Sequence, residues 1–343
     1  MRLIQNNSLP QNWLQQINNF DISKSTLSQN NKIIAEALTD YIKNEGKESL
    51  LNPLVKSFVS HVVLKKDFLK GYENIPHQLV KDGMDETRGE RGFNFTRKLH
   101  SVFIEFQIYM ELESYGFQFT DQVRTEGACD LQMEKNNKNY NFEVKFKESK
   151  DIFKSRLLSI IDNMSLLNEY AFLRGKTFEI HVKSSNVSYK VEKEIFDEIK
   201  CFLKEKKDTY KGKYIDIFEL SKQTEFTRDI TKVNKYTDSL KVSQELTDQK
   251  NISNLIQKMF IENNGHITKL SNKSKNSKNF YGCLVWSIPF HNDIDCKQVK
   301  AAFDKLKLDF DLYVFISGIA KDDCNFLVAK KKCKNSPSPM PLL

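Results

Sequence analysis

Apolar side chains recur at steps of three and four positions through about the first 85 residues. This spacing places them on single faces of successive helices and predicts an all-helical N-terminal domain over residues 1–90. The segment Gly83–Gly92 holds three glycines and no apolar periodicity, which predicts a flexible junction at the end of this domain.

Residues 91–225 switch between helical spacing and short alternating runs. Thr96 is expected to cap the first helix, which ends at Gly116. The elements that follow are expected to be strands at 117–123, 128–134 and 140–147, a helix at 157–173, a strand at 177–182, a helix at 191–203 and a strand at 214–220. This order predicts an α/β fold in which helices flank one mixed sheet.

A polar stretch separates this core from a C-terminal part of the chain. The later pattern predicts a small α/β unit over residues 226–335, with helices at 252–261 and 299–306 and strands at 281–288, 312–316 and 326–328. The last residues, 336–343, are expected to form a mobile tail.

Charge and motifs narrow the classes of function. Lys and Arg number 53 against 45 Asp and Glu, a net charge of +8 that suits a polyanionic partner without requiring one. No apolar run approaches the ~20 residues of a membrane span, so we expect a cytoplasmic protein without a membrane partner. The sequence lacks a phosphate-binding loop, a dinucleotide fingerprint and paired zinc-ligand cysteines, so its chemistry must come from carboxylates, lysines or histidines.

One predicted β-hairpin carries carboxylate and lysine side chains close together. Asn136 and Asn137 tolerate the backbone of a tight turn, and if Lys135 faces Lys138 then Asp130 faces Glu143. Side chains alternate between the faces of a strand, so Asp130, Glu143 and Lys145 share one face. Opposed carboxylates repel each other, and Mg²⁺ is a cation that such a pair can hold.

These residues resemble the PD-(D/E)xK nuclease superfamily, which has the restriction-endonuclease-like fold. Asp130, Glu143 and Lys145 match its motif and Glu105 matches its helical acid, over about Thr96–Leu220. Cys129 stands in place of the motif's proline, and no Q-x-x-x-Y follows the lysine. Of seven acid-x-Lys triplets, only the one at Glu143 lies in an alternating strand opposite an acid.

The resemblance implies a mixed-sheet core of order αβββαβ and a site for Mg²⁺, which Mn²⁺ could replace. Asp130 and Glu143 would hold the metal with the Val144 carbonyl, Glu105 would support it, and Lys145 would position the attacking water.

Nucleic-acid contacts are expected from basic residues near this core. The candidates are Arg88, Arg91, Arg97, Arg124 and Lys147. The basic run Lys269–Lys278 is either a second phosphate contact or a solvated loop. His181 is expected to be a structural histidine.

The sequence therefore predicts a Mg²⁺-dependent nuclease acting on DNA rather than RNA, as a restriction or phage-defence effector that forms a homo-oligomer or works with partner proteins. Two alternatives stay open. One is a non-catalytic nucleic-acid-binding or assembly protein on the same fold, and the other is a repair or junction-resolving nuclease, which would need a symmetric dimer.

Overall fold

The computed structural model describes residues 8–120, 128–148, 150–184, 187–220, 264–287, 308–317 and 327–331. The chain divides into two compact units. Unit 1 comprises Met1–Val102 and Phe153–Arg228, and unit 2 comprises Phe103–Ile152 and Asp229–Leu343. The domain limits expected near residues 90, 225 and 335 stay predictions.

The N-terminal part of unit 1 is helical, as predicted. Its helices are α1 (Trp13–Asn18), α2 (Gln29–Glu45), α3 (Pro53–Leu64), α4 (His77–Thr87) and the first part of α5 (Gly92–Ser114). The Ser28 hydroxyl accepts from the Asn31 amide and caps α2. Buried Ile34 and Leu38 then recur four positions apart on the core face of α2.

Two local predictions for the region before the core are wrong. Gly83 is buried inside α4, so only residues 88–91 separate α4 from α5. Thr96 does not cap α5, because this helix already begins at Gly92, and the Thr96 hydroxyl instead donates to the Gly92 carbonyl. A tertiary contact decides the helix start, since the Glu45 carboxylate accepts from the Gly92 amide at 3.1 Å.

The rest of unit 1 contains a small antiparallel sheet and two helices. The helices are α6 (Lys150–Met164), of which the first three residues belong to unit 2, and α7 (Tyr189–Glu205). The strands, in the order β4-β6-β5, are β4 (Thr177–Val182), β5 (Thr209–Lys211) and β6 (Ile215–Leu220). The predicted helix at 157–173 is α6 followed by a 3-10 segment at Asn168–Leu173.

Unit 2 is built on a six-stranded mixed sheet of order β1-β2-β3-β7-β8-β9. Its strands are β1 (Gln118–Phe119), β2 (Leu131–Lys135), β3 (Lys138–Glu148), β7 (Phe280–Ser287), β8 (Asp311–Ser317) and β9 (Leu327–Lys331). Strands β3, β7 and β8 run parallel, and the other pairs are antiparallel. Helix α8 (Asn264–Ser274) precedes β7.

Sheet membership differs from the prediction, although the mixed α/β class is confirmed. Strand β3 pairs with β7 from the C-terminal part of the chain, whereas β4 and β6 form their own sheet. The reason lies in burial. Residues 281–285 of β7 are all buried, as a central parallel strand requires, but buried and more exposed positions alternate along β4, as suits a sheet with one solvated face.

The predicted helices at 252–261 and 299–306, and the tail at 336–343, lie outside the described residues. Within the described ranges, no helix is long and apolar enough to cross a lipid bilayer.

Candidate active site

The β2-β3 hairpin has the predicted register. Lys135 pairs with Lys138 and Leu131 pairs with Phe142. Asn136 and Asn137 have φ values of 53° and 58°, which a tight two-residue turn requires. Because Leu131 and Phe142 are fully buried, a slip of one residue would expose the apolar face, and the register is firmly set.

Lys145 lies between the two predicted acids. Its Nζ donates to Glu143 Oε1 at 2.8 Å and to the Val144 carbonyl at 2.9 Å, and it is 3.7 Å from Asp130 Oδ2. The same Asp130 oxygen accepts from the Val144 amide at 2.7 Å. The hairpin thus brings the three predicted side chains together, with Asp130 directly before β2 and the other two on β3.

The electrostatics of the site keep Lys145 charged. Burial alone would lower the pKa of Lys145, but Asp130, Glu143 and Glu105 raise it by more, so the net shift is upward. An ammonium group has three donors and no acceptor. Lys145 can therefore orient a water or offset negative charge at neutral pH, but it cannot accept the proton of a water.

Glu105 lies on α5 in the part of this helix that belongs to unit 2, and it is 8% exposed. Its negative charge contributes to raising the pKa of Lys145. Among the residues that the structure describes, no group of three or more His, Cys, Asp and Glu side chains is arranged to hold a metal ion. The role of Glu105 in supporting a metal stays a prediction.

A second lysine, which the sequence analysis did not single out by itself, completes the site. Lys273 on α8 donates from Nζ to the Ala128 carbonyl at 2.8 Å, and it lies 3.4 Å from Glu143 Oε2. That carboxylate oxygen is buried and has no hydrogen bond. Two ammonium groups thus compensate the two facing carboxylates. The basic run Lys269–Lys278 was recognised in the sequence. Nothing in the sequence indicated that Lys273 lies next to Glu143.

An open cleft of about 480 Å³ lies at these side chains. It is lined by Glu143, Lys145, Lys269, Asn272, Lys273 and Asn276. All six belong to unit 2, so the cleft lies within one compact unit.

The donor set is compatible with Mg²⁺ in one specific mode. Mg²⁺ is commonly bound by one or two carboxylates, with waters and substrate phosphates filling its other positions. Glu143 has an oxygen without a hydrogen bond, and Asp130 is 22% exposed at its side chain. The Val144 carbonyl, a further predicted ligand, accepts from Lys145.

The predicted nucleic-acid contacts fall in different parts of the chain. Arg88, Arg91 and Arg97 are exposed residues of unit 1. Arg88 pairs with Asp85 at 2.9 Å, and Arg97 lies over the ring of Tyr189 at 4.2 Å.

The other residues on that list are described less fully. Arg124 lies outside the described residues, and Lys147 is on β3 with a side chain that is not described. His181 is exposed on β4 of unit 1, opposite Asp216.

Comparison with protein-family models, with curated proteins and with solved structures finds no match to this chain.

Proposed function

We propose that the protein is a Mg²⁺-dependent nuclease that hydrolyses phosphodiester bonds, with DNA as the expected substrate. One observation carries the proposal: Lys145 Nζ lies 2.8 Å from Glu143 and 3.7 Å from Asp130, beside an open cleft. Two acids and a charged lysine on one hairpin are the groups that metal-assisted phosphodiester hydrolysis uses.

The order of elements in unit 2 supports the same reading. The end of α5 is followed by β1, β2 and β3, and later by α8 and by β7, which runs parallel to β3. Among the described residues of unit 2 these six elements follow an α-β-β-β-α-β order, the one that the resemblance to PD-(D/E)xK nucleases implies, and residues 153–228, between β3 and α8, belong to unit 1. The restriction-endonuclease-like fold is thus part of the proposal.

In the proposed reaction, the attacking water loses a proton to the solvent as its oxygen bonds to phosphorus, the bond from phosphorus to the leaving oxygen breaks, and the leaving oxygen takes up a proton from the solvent. Asp130 and Glu143 would hold Mg²⁺, which supplies positive charge at the phosphate and acidifies water when bound. Lys145, charged as its raised pKa requires, would donate to the attacking water or to a phosphate oxygen. Its ammonium offsets the charge that builds up on that oxygen.

The biological setting is proposed from the resemblance together with the motifs that the sequence lacks. We infer a cytoplasmic restriction or phage-defence nuclease that acts as a homo-oligomer or with partner proteins, because the sequence has neither motor nor methyltransferase motifs.

A non-catalytic nucleic-acid-binding protein is the second candidate, and one observation favours it. Lys145 and Lys273 already neutralise the carboxylates of the acid pair. In that case the cleft would bind nucleic acid without cutting it.

The test is a cleavage assay on labelled duplex DNA, single-stranded DNA and RNA, each with Mg²⁺, with Mn²⁺ and with EDTA. We expect Mg²⁺-dependent cleavage that is faster on DNA and absent in EDTA. Binding without cleavage under every metal condition would support the second candidate, and cleavage that persists in EDTA would contradict the metal mechanism.

A further inference from the structure

We propose that one face of α8, together with Lys145, binds the phosphate backbone of the substrate beside the acid pair. This proposal rests on the proposed function and identifies the part of the chain that holds the strand being cut. Within the basic run, it assigns Lys269 and Lys273 to a phosphate contact.

The spacing of the cleft residues is the first argument. Lys269, Asn272, Lys273 and Asn276 stand at intervals of three, one and three positions, so they occupy one side of α8 and its C-terminal extension. Buried Leu270, which flanks this face, packs near Gly282 of β7 and holds the helix against the sheet. The polar face is therefore held in position and is directed to the cleft.

The charge of the lining is the second argument. Lys145 and Lys273 balance the carboxylates of Asp130 and Glu143, and Lys269 adds a further positive charge to the cleft lining. This excess of positive charge suits a phosphodiester, and two asparagine amides add neutral donors for its oxygens. A neutral ligand would gain little from such a lining.

Lys273 can contact an oxygen both in the free protein and when a phosphate occupies the cleft. In the free protein its Nζ holds the Ala128 carbonyl and faces the Glu143 carboxylate. The side chain is 26% exposed, so a phosphate oxygen in the cleft can reach the same ammonium group. A lysine binds phosphate as a point charge, without the fixed fork of an arginine, and can exchange one oxygen partner for the other.

The experiment measures binding of a fluorescein-labelled DNA duplex by anisotropy, in EDTA so that no cleavage occurs, over a series of salt concentrations. The cleft variant is Lys269→Ala/Lys273→Ala. The matched control is Lys275→Ala/Lys278→Ala, which removes the same charge from exposed positions of the same run that do not line the cleft. Lys273→Arg tests whether a cation alone is sufficient, and thermal unfolding of each variant checks the fold.

We expect the cleft variant to lose affinity at least about tenfold and its log-log salt slope to become shallower by about one to two, one phosphate contact for each lysine. The control variant should bind nearly as the wild type does, and Lys273→Arg should retain more affinity than the cleft variant. Equal losses in the two double variants would overturn the proposal, since binding would then follow overall charge, and so would the absence of any loss in the cleft variant.

The outcome is separable from that of the proposed function. If the wild type cuts DNA with Mg²⁺ but the cleft variant binds as well as the wild type, the backbone site is wrong and the nuclease stands. If the cleft variant alone loses binding but no metal supports cleavage, the nuclease is wrong and the binding surface stands.

Discussion

At the scale of the residue, the central feature is that lysines compensate the acid pair without a metal. Lys145 contacts Glu143 and lies near Asp130, and Lys273 faces the other oxygen of Glu143. If the hairpin is considered by itself, the two carboxylates repel each other. Replacing Glu143 would then be expected to raise the stability of the metal-free protein. The structure reverses that expectation, because Glu143 is an acceptor and a counter-ion for two cations.

Replacement of Lys145 by Met tests this compensation. The variant leaves Asp130 and Glu143 partly buried without their shared cation, so we expect the free energy of unfolding in metal-free buffer to fall by about 1–3 kcal/mol. Urea denaturation measures the change. Lys138→Met, at an exposed position of the same hairpin, is the control and should be nearly neutral. Equal stability of the two variants would contradict the compensation.

His100 gives a pH-dependent prediction for unit 1. Burial, with a smaller contribution from Arg156, lowers the pKa of His100 from 6.5 to about 3, so the ring is neutral in the folded protein. In the unfolded chain His100 takes up a proton below about pH 6.5, whereas in the folded protein it does so only below about pH 3. The stability that neutral His100 contributes is thus present above pH 6.5 and is lost as the pH falls towards 3.

The measurement is urea denaturation of the wild type and of His100→Gln at pH 7, 6, 5 and 4. We expect the wild type to lose up to about 1.4 kcal/mol more than the variant for each pH unit below 6.5. Parallel pH profiles for the two proteins would show that His100 titrates alike in both states.

At the scale of the element, the sequence predicted local structure but not which distant strands pair with each other. The Asn136-Asn137 turn and the alternation of buried Leu131 and Phe142 were sufficient to predict the hairpin register. The sequence pattern did not predict helix α8. This helix is polar on most sides, and its buried Leu270 does not by itself make an apolar periodicity. A helix of this kind derives its stability from the sheet on which it packs, and local periodicity does not report that contact.

Gly282 permits the close packing of Phe310 and of Leu270 of α8 against β7. A Cβ at this position would lie 2.8 Å from Phe310 Cε2 and 3.1 Å from Leu270 Cδ1. We expect Gly282→Ala to cost about 1–3 kcal/mol through overpacking, and to weaken DNA binding because the shift of α8 carries Lys273 away from Glu143.

Gly265→Ala is the matched control, since Gly265 lies in α8 and a Cβ there meets nothing within 4 Å. This variant should be neutral or slightly more stable, as alanine favours a helix over glycine. Denaturation and duplex binding measure both variants, and a Gly282→Ala protein with unchanged stability would contradict the packing.

At the scale of the whole molecule, the sheet of unit 2 joins two distant stretches of sequence. Strand β3 ends at Glu148 and its parallel neighbour β7 begins at Phe280. The sequence pattern identified both strands, but it predicted consecutive domains because the apolar alternation of a strand does not specify its partner. The core expected over residues 91–225 consequently omits half of the sheet that holds the site.

A fragment of residues 91–225 tests this organisation. Without β7, strand β3 would become a sheet edge and lose a full ladder of backbone hydrogen bonds, and Phe142 would lose its packing on Tyr281. We expect the fragment not to unfold cooperatively, in contrast to the full chain. Thermal and urea transitions followed by circular dichroism measure this, and a sharp native-like transition would contradict the discontinuous unit.

The most direct test of the nuclease site compares DNA cleavage by the wild type, Glu143→Gln and Glu134→Gln in Mg²⁺. Both substitutions remove one carboxylate from the same hairpin, but only Glu143 faces Lys145 and Lys273. The account predicts that Glu143→Gln lowers the cleavage rate at least about a hundredfold, while Glu134→Gln stays within about twofold of the wild type. Full activity in Glu143→Gln, or an equal loss in both variants, would contradict it.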